Sequence, residues 1–136
     1  MSQFVVDNSV VMSWAFEDEE NSYADAVLDS LETNEAIVPP IWPLEVANVL
    51  VVAQRNERLM PSDERRFVRL LQQLPISRAD SEASIHDWVE TARETGLSAY
   101  DASYLDLALS HNVPLATLDQ QLRRAARQTD VDIWLE

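Results

Sequence analysis

The chain has 136 residues, 46% of them hydrophobic, and a formal net charge of −14. A unit of this length buries roughly 70% of its unfolded surface without a staple, and the absence of cysteine excludes disulfides and thiolate metal sites. The net charge argues against a broad basic face for nucleic acid, and because all ten basic residues are arginine and Gly96 is the one glycine, lysine-bearing glycine-rich phosphate loops and glycine-dependent dinucleotide folds are excluded.

Phe4-Val5-Val6 reads as a short buried strand, stopped by Asp7-Asn8-Ser9, which can cap the helix after it. Helices are expected from about Val10 to Phe16 and from Asn21 to Leu31, the second with Tyr23, Ala24, Val27, Leu28 and Leu31 at helical spacing. Ala36-Ile37-Val38 reads as a strand ended by Pro39-Pro40, and Pro43 suits the first turn of a helix running to about Arg55. Leu44, Val46, Ala47, Val49, Leu50, Val51 and Val52 make that helix apolar on nearly every side, which predicts a central helix or a subunit contact. A further helix is expected after Pro61-Ser62, with Ser62 at its capped start and Phe67, Leu70, Leu71 and Leu74 as its apolar face. Ser84 to Thr95 predicts another, closed by Gly96, and Ser98 opens the next, to about His111. Val113 to Thr117 reads as a strand, Asp119 to about Gln128 as a helix, and Val131 to Trp134 as a last strand.

No repeat or linker divides these elements, so one domain over residues 1–136 is expected. The first residues carry no basic leader or small-residue cleavage site, and no apolar run approaches the roughly 20 residues of a membrane span. A soluble cytoplasmic protein that meets no membrane is the default expectation. Short apolar strands alternating with helices imply an α/β fold, a parallel sheet covered on both faces, with ligands beyond the carboxyl ends of the strands. Asp7 and Asp119 follow strands, while Glu45 and Asp101 stand in first turns of helices. That topology brings all four acids towards one edge.

Each acid also has a simpler role available, since aspartates at helix starts satisfy free backbone N–H groups. Capping alone would account for Asp7 and Asp119. Glu45, flanked by Leu44, Val46 and Ala47, and Asp101, among Ala99, Tyr100, Ala102 and Leu105, are set in apolar surroundings without a lysine or arginine beside them. Buried carboxylates need a cation, and magnesium or manganese meets that need with oxygen ligands. Two such ions about 3.5–4 Å apart can clamp the attacking and leaving oxygens of a phosphodiester displacement. A phosphatase of the haloacid dehalogenase type would want an aspartate where Ser9 stands, and it and a response-regulator receiver would want a lysine. His86 and His111 lack the partner motif of a serine hydrolase and read as surface or capping residues, and Asp130 and Asp132 read as a turn.

Four segments carry a resemblance: Val5-Val6-Asp7-Asn8-Ser9, Leu44-Glu45-Val46-Ala47-Asn48-Val49-Leu50, Leu97-Ser98-Ala99-Tyr100-Asp101-Ala102-Ser103-Tyr104-Leu105, and Leu115-Ala116-Thr117-Leu118-Asp119. In this order and spacing they resemble the PIN-domain family, specifically the VapC-type toxins of bacterial toxin–antitoxin pairs, over essentially the whole chain. The resemblance implies a three-layer α/β/α domain on a parallel sheet of about four to five short strands. It also implies magnesium- or manganese-dependent endonucleolytic cleavage of RNA to 5′-phosphate and 3′-hydroxyl ends. Asp7, Glu45, Asp101 and Asp119 become its catalytic, metal-binding acids, supported by Ser9 and Thr117. Asn48, on the same helix face as Glu45, could orient it or touch substrate. Arg123 and Arg124, with Arg127, are the candidates for substrate phosphate, and Arg65, Arg66 and Arg69 form a second group. An antitoxin is the implied protein partner, for which Trp14, Phe16, Tyr23 and Val27 would line a groove if they are not core, and a homodimer is expected. The alternative is a PIN fold kept as a protein-binding module without nuclease activity.

Overall fold

The computed structural model describes residues 1–136, the side chain of Glu17 apart. In chain order the elements are β1 (Gln3–Val6), α1 (Asn8–Ala15), a 3-10 turn (Glu17–Glu19), α2 (Ser22–Ser30), β2 (Glu35–Val38), α3 (Trp42–Arg55), α4 (Pro61–Gln73), β3 (Ile76–Arg78), α5 (Ile85–Thr95), α6 (Ala99–His111), β4 (Leu115–Ala116) and α7 (Gln120–Gln128). The sheet has four strands in the order β3-β2-β1-β4, all pairs parallel, with Val5 opposite both Ile37 and Leu115.

The two central strands are buried along their apolar residues, as a sheet covered on both faces requires. Strand alternation then divides the core in two. Phe4, Val6, Ala36, Val38 and Ala116 face one way, against Val10, Val11, Val27, Val46, Leu50 and Phe67 of α1 to α4. Val5, Ile37 and Leu115 face the other, against Leu105, Ala108, Leu122 and Ala126 of α6 and α7. The expected three-layer α/β/α arrangement is the outcome. No helix of the described residues is long and apolar enough to cross a membrane.

Capping fixes where several helices begin and end. Asp7, Asn21, Ser98 and Asp119 each accept backbone N–H groups at the starts of α1, α2, α6 and α7. Ser84 and Asp87 form a reciprocal capping box on α5, and Gly96 ends that helix at φ 75°, the left-handed conformation that glycine adopts without penalty.

Of the two roles expected for helix α3, the central one falls away, since Val46, Leu50 and Ala53 face inward while Leu44, Val51 and Val52 are exposed, as a subunit contact would need. Three sequence expectations are corrected. Met60, not Ser62, is the N-cap of α4, with Pro61 in the first turn and no side-chain cap. The last strand reduces to a single bridge between Leu115 and Ile133, because the chain turns at Asp130 and Leu135, both with positive φ. Finally, β3 was not expected, since Ile76-Ser77-Arg78 is an edge strand with one half-buried apolar residue and no alternation to betray it.

Candidate active site

Asp7 leaves β1 and is buried. Its Oδ1 accepts from the Ser9 N–H at 3.1 Å, the Ser9 hydroxyl at 2.5 Å and the Val10 N–H at 3.4 Å. Its Oδ2 accepts from the Thr117 hydroxyl at 2.7 Å. The two hydroxyls lie 3.2 Å apart, but each has one proton and both are given to Asp7. Their lone pairs accept in turn from the Leu118 N–H at 2.8 Å and the Asp119 N–H at 3.0 Å. A belt of hydroxyls thus ties the end of β1 to the end of β4. Burial pushes the Asp7 carboxyl up to about 6 from 3.8; the bonds from Ser9, Thr117 and Val10 oppose this, and the charge of Asp101 adds to it.

Glu45, half-buried in the first turn of α3, accepts from the Tyr104 hydroxyl at 2.7 Å through Oε1. Burial raises its pKa, the Tyr104 bond opposes, and Asp101 raises it further. Asp101, in the first turn of α6, is raised by burial and then by Asp119, against an opposing bond from Ser98. Asp119 caps α7, its Oδ1 accepting from the Gln121 N–H at 2.8 Å and the Leu122 N–H at 3.1 Å. Asp101 is therefore the hub whose charge is felt by Asp7 and Glu45 and which feels Asp119.

The ion pairs of the described residues lie elsewhere. Arg58, Arg66, Arg93, Arg123 and Arg127 pair with Asp18 and Glu19, Asp63, Glu90 and Glu136, and none pairs with the four acids. The donor set suits a hard divalent ion: Glu45 Oε2 and Asp119 Oδ2 have no protein hydrogen bond among the described residues, and the Asp101 carboxyl receives one from Ser98. As placed, however, no three acidic or imidazole side chains of the described residues stand close enough to ligate one ion.

Of the remaining candidates, Ser9 and Thr117 join Asp7 directly. Asn48 is exposed one turn beyond Glu45. Arg123 turns inward, its Nε donating to the Thr117 carbonyl at 2.7 Å and its Nη1 to Glu136 at 2.6 Å, with the guanidinium over the Tyr23 ring. It supports the Thr117 backbone from behind. Arg124 is exposed on α7, and Arg65, Arg66 and Arg69 are exposed on α4. His86 is exposed, and His111 Nε2 lies 3.0 Å from the Asp80 carbonyl. Asp130 sits in a turn at φ 61°. Val27 is core and Tyr23 bonds the Trp134 carbonyl, while Trp14 and Phe16 line a cleft of about 660 Å³ with Arg58, Phe67 and Leu70. Sequence reasoning did not single out Tyr104, whose signal was its position one turn after Asp101 on α6.

A family model described as PIN domain matches residues 4–128. No curated protein matches the chain in sequence. Among solved structures, PAE2754 from Pyrobaculum aerophilum superposes with a TM-score of 0.69 at 22% identity, over 92% of this chain and 87% of that one. FitAcB from Neisseria gonorrhoeae superposes with a TM-score of 0.62 at 21% identity, over 98% of this chain and 96% of that one.

Proposed function

The chain belongs to the PIN-domain family, whose members are generally nucleases and usually use divalent metals, and from that premise we propose that it is a magnesium- or manganese-dependent endoribonuclease, the toxin of a type II toxin–antitoxin pair. The observation that carries the reading is a set of four carboxylates, electrostatically coupled through Asp101 and without a counter-cation among the described residues. Glu45, Asp101 and Asp119 would hold the ion through their unspent oxygens, with Asp7 completing the charge. When bound, the ion supplies Lewis-acid polarisation of the scissile phosphodiester and lowers the pKa of a water.

The chain's own residues do the positioning. Ser9 and Thr117 hold Asp7 in one orientation, Tyr104 holds Glu45, and Arg123 fixes the Thr117 carbonyl behind the site. A carboxylate that has released its proton to make room for the ion can accept one from an attacking water. Asn48 and Arg124, both exposed, are the side chains on α3 and α7 proposed to meet the RNA.

The antitoxin of this reading lays an amphipathic segment into the cleft lined by Trp14, Phe16 and Phe67 and flanked by Asp18, Arg58, Asp63 and Arg66, and the exposed Leu44, Val51 and Val52 of α3 form the seam of a homodimer. The setting is the cytoplasm, where RNA and antitoxin are made. Purified, partner-free protein is expected to cut a mixed RNA panel with magnesium or manganese and not with EDTA, and Asp101→Asn is expected to abolish cutting. Metal-dependent cutting unchanged in that variant would refute the site, and no cutting by folded wild type would turn the reading to a binding module.

A further inference from the structure

A second feature lies beside the four acids. Pro40 and Ile41, Trp88 of α5, and Tyr100 and Ser103 of α6 enclose an open, mostly apolar cavity of about 480 Å³. A smaller one of about 160 Å³ continues behind it, sharing Pro40, Trp88 and Ser103 and reaching Asp80 and Leu107. Resting on the nuclease reading, we propose that this cavity is a nucleobase subsite, which takes one unpaired base of the RNA beside the scissile phosphate.

Position is the first argument. Tyr100 directly precedes Asp101, and the Ile41 carbonyl accepts the N–H of Glu45 at 3.1 Å. Both walls of the cavity are therefore continuous with backbone that carries an acid of the site, and an RNA strand lying on the acids has its neighbouring nucleotide at this mouth.

The lining is the second. Two aromatic side chains face the cavity, and among the described residues neither is paired with another ring; Phe4 and Trp134 make the one stacked pair. Trp88 also carries a buried indole N–H with no partner among the described residues. Every nucleobase combines a flat π-face with ring-nitrogen or carbonyl acceptors, whereas an aliphatic side chain offers neither. The volume lies within the roughly 300–1,000 Å³ of small-ligand sites.

Charge is the third. A protein of net charge −14, with Arg123 turned inward, has few cations to spend on phosphates near its site. Beyond the bound ion and Arg124, affinity for RNA then rests on the uncharged part of the nucleotide, and stacking on aromatic side chains is how proteins obtain it.

The test uses the four nucleosides, which carry no phosphate and need neither metal nor cleavage. They are titrated into ¹⁵N-labelled protein while the indole N–H resonances are followed, with Trp88 assigned through Trp88→Phe. Saturable movement of the Trp88 resonance is expected. It should be weakened on the order of ten-fold in Tyr100→Ala and restored in Tyr100→Phe, with a matching rise in KM for RNA and a smaller change in kcat. Tyr100 is 61% exposed, so its truncation leaves the fold in place. An unmoved Trp88 resonance, a wild-type KM in Tyr100→Ala, or concentration-dependent broadening that shows a second copy covering Tyr100 would each overturn the proposal. Nucleoside binding by a protein that cuts no RNA would support the pocket while refuting the nuclease reading.

Discussion

Asp7 shows how one residue can serve structure and chemistry in opposition. Its carboxylate caps α1 and accepts two hydroxyl protons, yet burial still raises its pKa to about 6. The proton balance is a matter of linkage: the folded state holds this proton up to about pH 6 and the unfolded chain releases it near 3.8. Metal-free protein should therefore gain stability as pH falls from 7 towards 5, with Glu45 and Asp101 acting in the same sense. Asp7→Asn should raise the Tm of metal-free protein at pH 7, by at most about 3 kcal/mol of stability, and flatten its pH dependence in thermal melts. A lower Tm would mean that the cap outweighs the buried charge. Tyr104→Phe removes the one hydroxyl held against Glu45, and is expected to weaken manganese binding on the order of ten-fold while leaving circular dichroism unchanged.

At the scale of elements, Gly96 offers the clearest check. Its φ of 75° closes α5, and its carbonyl accepts from Gln121 Nε2 of α7 at 2.9 Å. Gly96→Ala should cost about 1 kcal/mol in urea unfolding, since a left-handed alanine is strained; an unchanged midpoint would contradict the capping account. Elements with strong local signals were legible in sequence: the buried run of β1, the Pro39-Pro40 stop, the Ser84 and Ser98 caps and the Gly96 terminus. Elements defined by long-range pairing were not. Strand β3 exists because β2 offers an edge, with the Ala36 N–H donating to the Pro75 carbonyl, and nothing local in Ile76-Ser77-Arg78 announces it. Likewise the expectation that the four acids share an edge follows from parallel topology alone. The inward turn of Arg123 and the bond from Tyr104 to Glu45 depend on side-chain packing that spacing alone does not encode.

For the whole molecule, net charge sets the terms. Twenty-four acidic against ten basic residues leave the chain self-repelling, and four of those acids share one edge of the sheet without a cation of their own. Divalent ions should accordingly stabilise the fold more than an equal ionic strength of sodium chloride does. The exposed apolar face of α3 gives the molecule a second whole-body property: Val51→Asp should shift a dimer towards monomer in light scattering, and a wild type already monomeric at micromolar concentration would remove that seam.

The central claim is that the four uncompensated carboxylates form one cation site, and a calorimetric manganese titration near pH 6 tests it most directly. Repeated in two buffers of different ionisation enthalpy, the wild type should bind manganese with release of protons, because the added positive charge displaces the proton from Asp7, whose pKa burial raises to about 6. Binding should be lost in Asp101→Asn, the residue through which the other charges are coupled. Manganese binding without proton release, or equally tight in Asp101→Asn, would contradict the account.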